Sequence, residues 1–294
     1  MARQNTVSKS ISRNRKTTPE AESNSEVGTA IAPDAAPGLI RLALEMRAPW
    51  ELGAAVLSYP FMRAAPSGDG HPVLVFPGLA AGDFTTLAIR HFLAGRGFSV
   101  HAWEQGLNFG PRPGVLEACM EKICQLRAST GRKVSLVGWS LGGVYAREIA
   151  KMLPDDVRVV VTLGSPFTGS PKATNAWRVY QLVSGEKEID AERFAALRLR
   201  PAVPTTSIFS RTDGVVAWQC SMEEETARSE NIEVHASHVG MGANPTALYA
   251  IADRLAQPEG QWQRFDHVEH TGIKKLLYLN PQRTPLLQSL FGLY

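Results

Sequence analysis

The chain is poor in cysteine, with three in 294 residues: Cys119, Cys124 and Cys220. An odd count leaves at least one thiol unpaired within the chain. Cys119 and Cys124 stand five apart on a predicted helix, point to different faces and do not pair readily. No Cys/His spacing resembles a zinc site. There is no run of the ~20 apolar residues needed to span a membrane. No apolar run follows the basic opening residues, so no secretory signal peptide is expected. A soluble, cytoplasmic protein is the expectation. Acid is missing from the first sixteen residues, which carry Arg3, Lys9, Arg13, Arg15 and Lys16. Set apart, that arm leaves 26 basic against 28 acidic residues, although the whole chain is formally +3. The body is therefore not basic, and no nucleic-acid partner is expected. No internal repeat is visible.

What is present is enough apolar material for one large core, 44 % of residues. Residues 1–36 are rich in Ser, Thr, Asn, Glu, Ala and Pro and are expected to be a disordered basic and polar arm. Residues 37–294 are expected to form one domain. Gly38 to about Leu57 reads as helical, interrupted near Pro49. Strands follow at His71–Phe76, Phe98–Trp103, Lys133–Val137, Val157–Leu163, Thr205–Ser210 and Asn231–Ala236. Helices alternate with them near Phe84–Ala94, Val115–Ser129, Gly143–Ala150 and Pro245–Leu255. Alternation of this kind predicts an α/β fold with a doubly wound, mostly parallel sheet. The stretch of about 168–203 breaks the alternation and fits two short amphipathic helices. A helical cap over Ser140 is expected there, forming an apolar acyl-binding cleft with Trp177 and Leu182 as pocket residues; the plainer alternative is two surface helices packing their apolar faces on the sheet. The tail from Gln261 to Tyr294 is too apolar for disorder and is expected to pack on the body, with a dimer or membrane contact as the sharper alternative.

The most specific signal is Gly138-Trp139-Ser140-Leu141-Gly142, framed by an apolar strand and a helix. A serine on a tight strand-to-helix turn is lifted above the sheet, and small residues two before and two after it admit neighbouring backbone. Ser140 is the candidate nucleophile. The plainer alternative is a glycine-rich turn that needs only small residues.

A nucleophilic serine needs a base and a group that orients it. Asp213 follows the strand at 205–210, and His238 follows the strand at 231–236, both at carboxyl ends where ligands collect in open α/β sheets. Asp213 could also be an ordinary turn residue, since Asp-Gly is a common turn pair. Asp155 and Asp156 precede a strand and belong at the opposite end, and Asp190 lies in the cap. His235 is read as lying inside its strand. The developing oxyanion needs preset N–H donors. Leu141, next after the serine, is one candidate. The other is Leu79, where Gly78 lets the loop after the first strand bend inward; Ala80 is the alternative. Trp139 and Trp218 are candidates for the pocket wall.

Phe76-Pro77-Gly78-Leu79, Val137-Gly138-Trp139-Ser140-Leu141-Gly142-Gly143, Leu163-Gly164-Ser165-Pro166, Asp213-Gly214-Val215-Val216 and Ser237-His238 together resemble the α/β-hydrolases, and among them bacterial serine esterases and lipases of the triacylglycerol-lipase type. The resemblance spans about Pro72 to Leu255. It departs at Pro77-Gly78, where secreted lipases of that type often carry His-Gly. It implies an α/β-hydrolase fold and a Ser-His-Asp hydrolase acting on a small-molecule or lipid ester, with no metal and no organic cofactor. Three readings follow: an ester hydrolase using Ser140, His238 and Asp213; an acyltransferase or thioesterase with the same apparatus; and a non-catalytic scaffold on a hydrolase fold.

Overall fold

The computed structural model describes Met1, residues 35–176 and 191–265, and Tyr278. The expected arm at 2–34 and the cap residues Trp177 and Leu182 lie outside the described residues. Apart from Met1, every described residue belongs to one compact unit, Ile31–Tyr294.

Among the described residues six strands form its sheet: β1 Pro72–Phe76, β2 Ser99–Ala102, β3 Val134–Trp139, β4 Val157–Leu163, β5 Thr205–Phe209 and β6 Ser229–Glu233. Their order is β2-β1-β3-β4-β5-β6, and every pairing is parallel. All carboxyl ends therefore lie on one side. The chain leaves β1 outward to β2 and returns on the other side of β1 to β3. The point between β1 and β3 is the topological switch, where open α/β sheets form a crevice.

Seven α-helices are described: α1 Leu39–Ala43, α2 Ala48–Met62, α3 Leu87–Gly95, α4 Val115–Thr130, α5 Leu141–Met152, α6 Ala191–Arg198 and α7 Pro245–Ala256. The period-two alternation of the strands divides the core into two layers. Val73, Val75, Val137, Val161 and Leu163 face Ile89, Leu93, Leu248, Ile251 and Leu255 of α3 and α7. Leu74, Phe76, Leu136 and Val160 face Cys119, Ile123, Tyr145 and Ile149 of α4 and α5. Each fully buried aliphatic side chain contributes roughly 1.5–3 kcal/mol. Both faces of the sheet are thus covered, and the loops at its carboxyl edge stand on a packed base.

Two details differ from expectation. The break near Pro49 falls earlier, as a 3-10 turn at Leu44–Arg47. Pro49 sits in the first turn of α2, where a missing N–H forfeits no helical bond, and α2 runs through Pro60 to Met62. Strand β6 ends at Glu233, because its ladder with β5 stops at Phe209↔Glu233. His235 therefore lies beyond the strand, exposed. Of the apolar tail residues, Phe265 and Tyr278 are buried in the α3/α7 layer, as expected; the Tyr278 hydroxyl donates to the Thr246 carbonyl at 2.9 Å.

Candidate active site

Ser140 stands between β3 and α5 with φ 52° and ψ −123°. A non-glycine residue held there costs on the order of 1–3 kcal/mol, so the surroundings must over-determine it. They do. The Ser140 N–H donates to the Leu163 carbonyl at 2.8 Å, and its carbonyl accepts from the Gly143 N–H at 3.0 Å. The flanking glycines are required by space. A Cβ on Gly138 would lie 2.3 Å from the Gly143 Cα, and one on Gly142 would lie 2.4 Å from the Phe76 carbonyl oxygen. This is the steric reason for small residues two before and two after the serine.

Asp213 and His238 are brought together. His238 Nδ1 lies 2.7 Å from Asp213 Oδ2. A carboxylate partner requires the proton on Nδ1, which leaves the Nε2 lone pair free. The other Asp213 oxygen, Oδ1, accepts the N–H groups of Val215 and Val216, each at 2.8 Å. The acid is thus fixed on one side by its own turn and presents the other to the imidazole. Burial pushes the His238 pKa down, but the charge and hydrogen bond of Asp213 and the charge of Glu45 outweigh it, and the pKa lies above the ordinary 6.5.

Gly164 ties Ser140 to this pair. It follows Leu163, the partner of the Ser140 N–H, with φ +52°. A Cβ there would meet Asp213 Oδ2 and His238 Nδ1, both at 3.0 Å. Ser140, Asp213 and His238 are all buried, at 8 %, 2 % and 6 % exposure. Asp155 and Asp156 lie just before β4, at the opposite edge of the sheet, as expected.

The loop after β1 lies beside the serine, since a Cβ on Gly78 would approach the Ser140 Cβ to 3.3 Å. The Ala80 N–H is taken by the Asn108 carbonyl at 2.7 Å. Among the described residues nothing takes the N–H of Leu79, and Leu141, first in α5, has no intrahelical acceptor. Asn108 is fully buried and binds this loop. Its Nδ2 donates to the Pro77 carbonyl at 2.8 Å, and its N–H donates to the Ala81 carbonyl at 2.8 Å. Sequence reading passed over Asn108, which looked like one polar residue in a Gly/Pro-rich loop.

Each of the two tryptophans makes defined contacts. The Trp139 indole N–H donates to the His238 carbonyl at 3.1 Å, and its ring packs on Gly242. It holds the base loop. Trp218 stacks on Phe209 at 5.7 Å between centroids, with the Arg211 guanidinium 4.1 Å from its ring. Two further residues were missed altogether. Glu45 and Glu51, from the segment preceding the sheet, accept backbone N–H groups around His238.

Comparison with known proteins agrees with the architecture. The family model for a PGAP1-like alpha/beta domain matches residues 112–239, under half of the chain but including Ser140, Asp213 and His238. A curated protein, thioesterase frbD of Dothideomycetidae sp. (strain 11243), is 34 % identical over 112 residues, 36 % of this chain and 41 % of that protein. The chain thus spans about two-fifths of that relative's length. Lipase B of Aspergillus fumigatus has a TM-score of 0.51 at 19 % identity, over 65 % of this chain and 53 % of its own. A pyrethroid hydrolase from Sphingobium faniae JZ-2 has a TM-score of 0.47 at 20 % identity, over 64 % of this chain and 98 % of its own. The chain is an α/β-hydrolase-fold protein. No helix among the described residues is long and apolar enough to cross a membrane.

Proposed function

We propose that the chain is a serine hydrolase that cleaves carboxylic esters through an acyl-enzyme. Ser140 Oγ attacks the ester carbonyl while His238 Nε2 takes its proton. Asp213 orients the imidazole and stabilises its charged form. The N–H groups of Leu79 and Leu141 receive the oxyanion. His238 then protonates the leaving alkoxide and activates the water that releases the acid. The observation that carries this reading is the 2.7 Å Asp213–His238 bond at the same sheet edge as a strained serine. In this reading residues 37–294 are the hydrolase domain, 1–36 is an arm outside it, and 168–203 is a cap whose Trp177 and Leu182 meet the acyl chain.

The test is labelling with a fluorophosphonate probe and release of p-nitrophenol from esters of increasing acyl length. Ser140→Ala is expected to abolish labelling and reduce hydrolysis by roughly 10⁴-fold or more. Unchanged labelling in that variant would sink the assignment. A charge placed at Trp177 or Leu182, in a variant of unchanged Tm, should weaken long acyl esters more than acetate.

A thioester substrate is the second reading. It is favoured by the name of the curated relative, whose matched segment is 34 % identical. A higher kcat/KM on acyl thioesters than on oxygen esters of equal acyl length would select it.

A further inference from the structure

The segment before the sheet is bound in an unusual sense. A surface helix normally turns its apolar stripe inward. Here Leu39, Ile40, Met46 and Trp50 are 83 %, 78 %, 82 % and 81 % exposed, while Glu45, Arg47 and Glu51 turn toward the protein. Glu51 accepts the N–H and the hydroxyl of Ser237, both at 2.7 Å. Arg47 donates to Glu51 at 2.9 Å and to the Thr212 hydroxyl at 2.7 Å. Glu45 is the centre of this contact. Its Oε1 accepts the N–H of Gly214 at 2.7 Å and of His238 at 2.9 Å, and its Oε2 accepts the N–H of Val239 at 2.9 Å.

We propose that Glu45 is a positioning residue, which locks the loop of the acid to the loop of the base so that Asp213 and His238 stay in hydrogen-bond register. The proposal rests on the hydrolase reading above. Gly214 directly follows Asp213, and His238 is the base itself. One carboxylate therefore joins both loops through their backbones, across 169 to 194 positions of chain. The three N–H groups have lost the sheet ladder, which ends at Phe209↔Glu233. Two carboxylate oxygens can serve all three; the amide of a glutamine offers one acceptor oxygen and no charge. A charge-assisted bond to a backbone N–H is also stronger than a neutral one.

The carboxylate has an electrostatic effect besides. The ionisable groups facing His238 are Asp213 from the loop after β5 and Glu45 from the 3-10 turn. The Arg47–Glu51 pair lies beside them, with Glu51 on Ser237, one residue before His238, and Arg47 on Thr212, one residue before Asp213. Asp213 and Glu45 both favour the protonated imidazole, against the burial that opposes it. Loss of the Glu45 charge should move the His238 titration to lower pH.

Glu45→Gln is the test, with Glu45→Asp as its companion. Expected for Glu45→Gln is a fall in kcat of about 10-fold or more, with KM changed less than about threefold, because the lost fit matters most in the transition state. The acid limb of kcat/KM should move to lower pH. The His238 Cε1–H signal in NMR, assigned by its loss in His238→Gln, should titrate at lower pH too. Glu45→Asp keeps the charge at shorter reach. It should lose kcat but keep the acid limb. Thermal unfolding of each variant separates this from global destabilisation. An unmoved His238 titration in a folded Glu45→Gln protein overturns the proposal, as does unchanged kcat. The NMR titration needs no turnover. A moved titration in a protein that hydrolyses no ester, with Ser140→Ala no different, would refute the hydrolase reading and leave the positioning intact.

Discussion

Asn108 has no chemistry of its own, yet it fixes the loop that carries Leu79. The Asn108 side chain and backbone fasten Pro77, Ala80 and Ala81, and Leu79 lies among them. Asn108→Ala removes two bonds, leaving the buried Pro77 carbonyl short of a donor and the Gly110 N–H short of an acceptor. The expected loss is about 1–3 kcal/mol of stability, with kcat reduced at least 10-fold if Leu79 donates to the oxyanion. Steady-state kinetics beside a denaturant curve check this. Wild-type kcat in a destabilised variant would show that the Leu79 N–H is not a donor. Asp213→Asn is expected to keep the fold but leave His238 in the wrong tautomer, reducing kcat by about 10⁴-fold. A loss below 10-fold would remove Asp213 from its role.

At the scale of elements, the two edges of the sheet carry the same three side chains in different settings. At the amino edge, His71 Nδ1 lies 2.5 Å from Asp69 Oδ1, and its Nε2 lies 2.8 Å from the Ser135 hydroxyl. His71 and Ser135 have no exposure at all, so no substrate reaches them. They are a structural network between β1 and β3. Burial first, then the charges of Arg158 and Arg132, push the His71 pKa down from 6.5 to about 4, although Asp69 pulls the other way. The unfolded chain takes up the proton near pH 6.5 and the folded protein only near 4. Stability from this group is therefore complete above pH 6.5 and is lost as the pH falls toward 4. The amount is on the order of 3 kcal/mol. Asp69 titrates below its ordinary 3.8, because the hydrogen bonds of His71 outweigh burial, and so acts outside this window. Urea unfolding at pH 7.5 and 4.5 should show a steeper loss in the wild type than in His71→Gln. Equal losses in the two would show that His71 is not held neutral.

Ser140 was legible because an elbow is a local object, spelled within five residues between a strand and a helix. Asp213 and His238 were legible from chain order and from strand ends. Glu45 and Glu51 were not, because a glutamate in a helical stretch reads as a solvated charge, and its partners lie beyond 160 positions away. The bond from the Trp139 indole N–H to the His238 carbonyl was not legible either, since 99 positions separate the two. The parallel sheet followed from the alternation of elements. The orientation of residues 39–51 did not, since apolar periodicity predicts the inward face from Leu39, Ile40 and Met46, and the polar bonds reverse it.

At the scale of the whole molecule, the polar contact of residues 39–51 has a consequence for where a working unit begins. The family match at 112–239 spans Ser140, Asp213 and His238, so a fragment cut to that similarity would look complete on paper. A chain begun at Leu52 would keep every strand and the three side chains of the proposed chemistry. It should still unfold cooperatively, because both core layers are intact, and should turn over ester at least 10-fold more slowly than the full chain. Full activity in that truncation would show that the first helices are dispensable. If the loss is found, the smallest active fragment has to be defined by hydrogen bonds that close on the active site from a distance, and homology borders drawn around the nucleophile will systematically fall inside it.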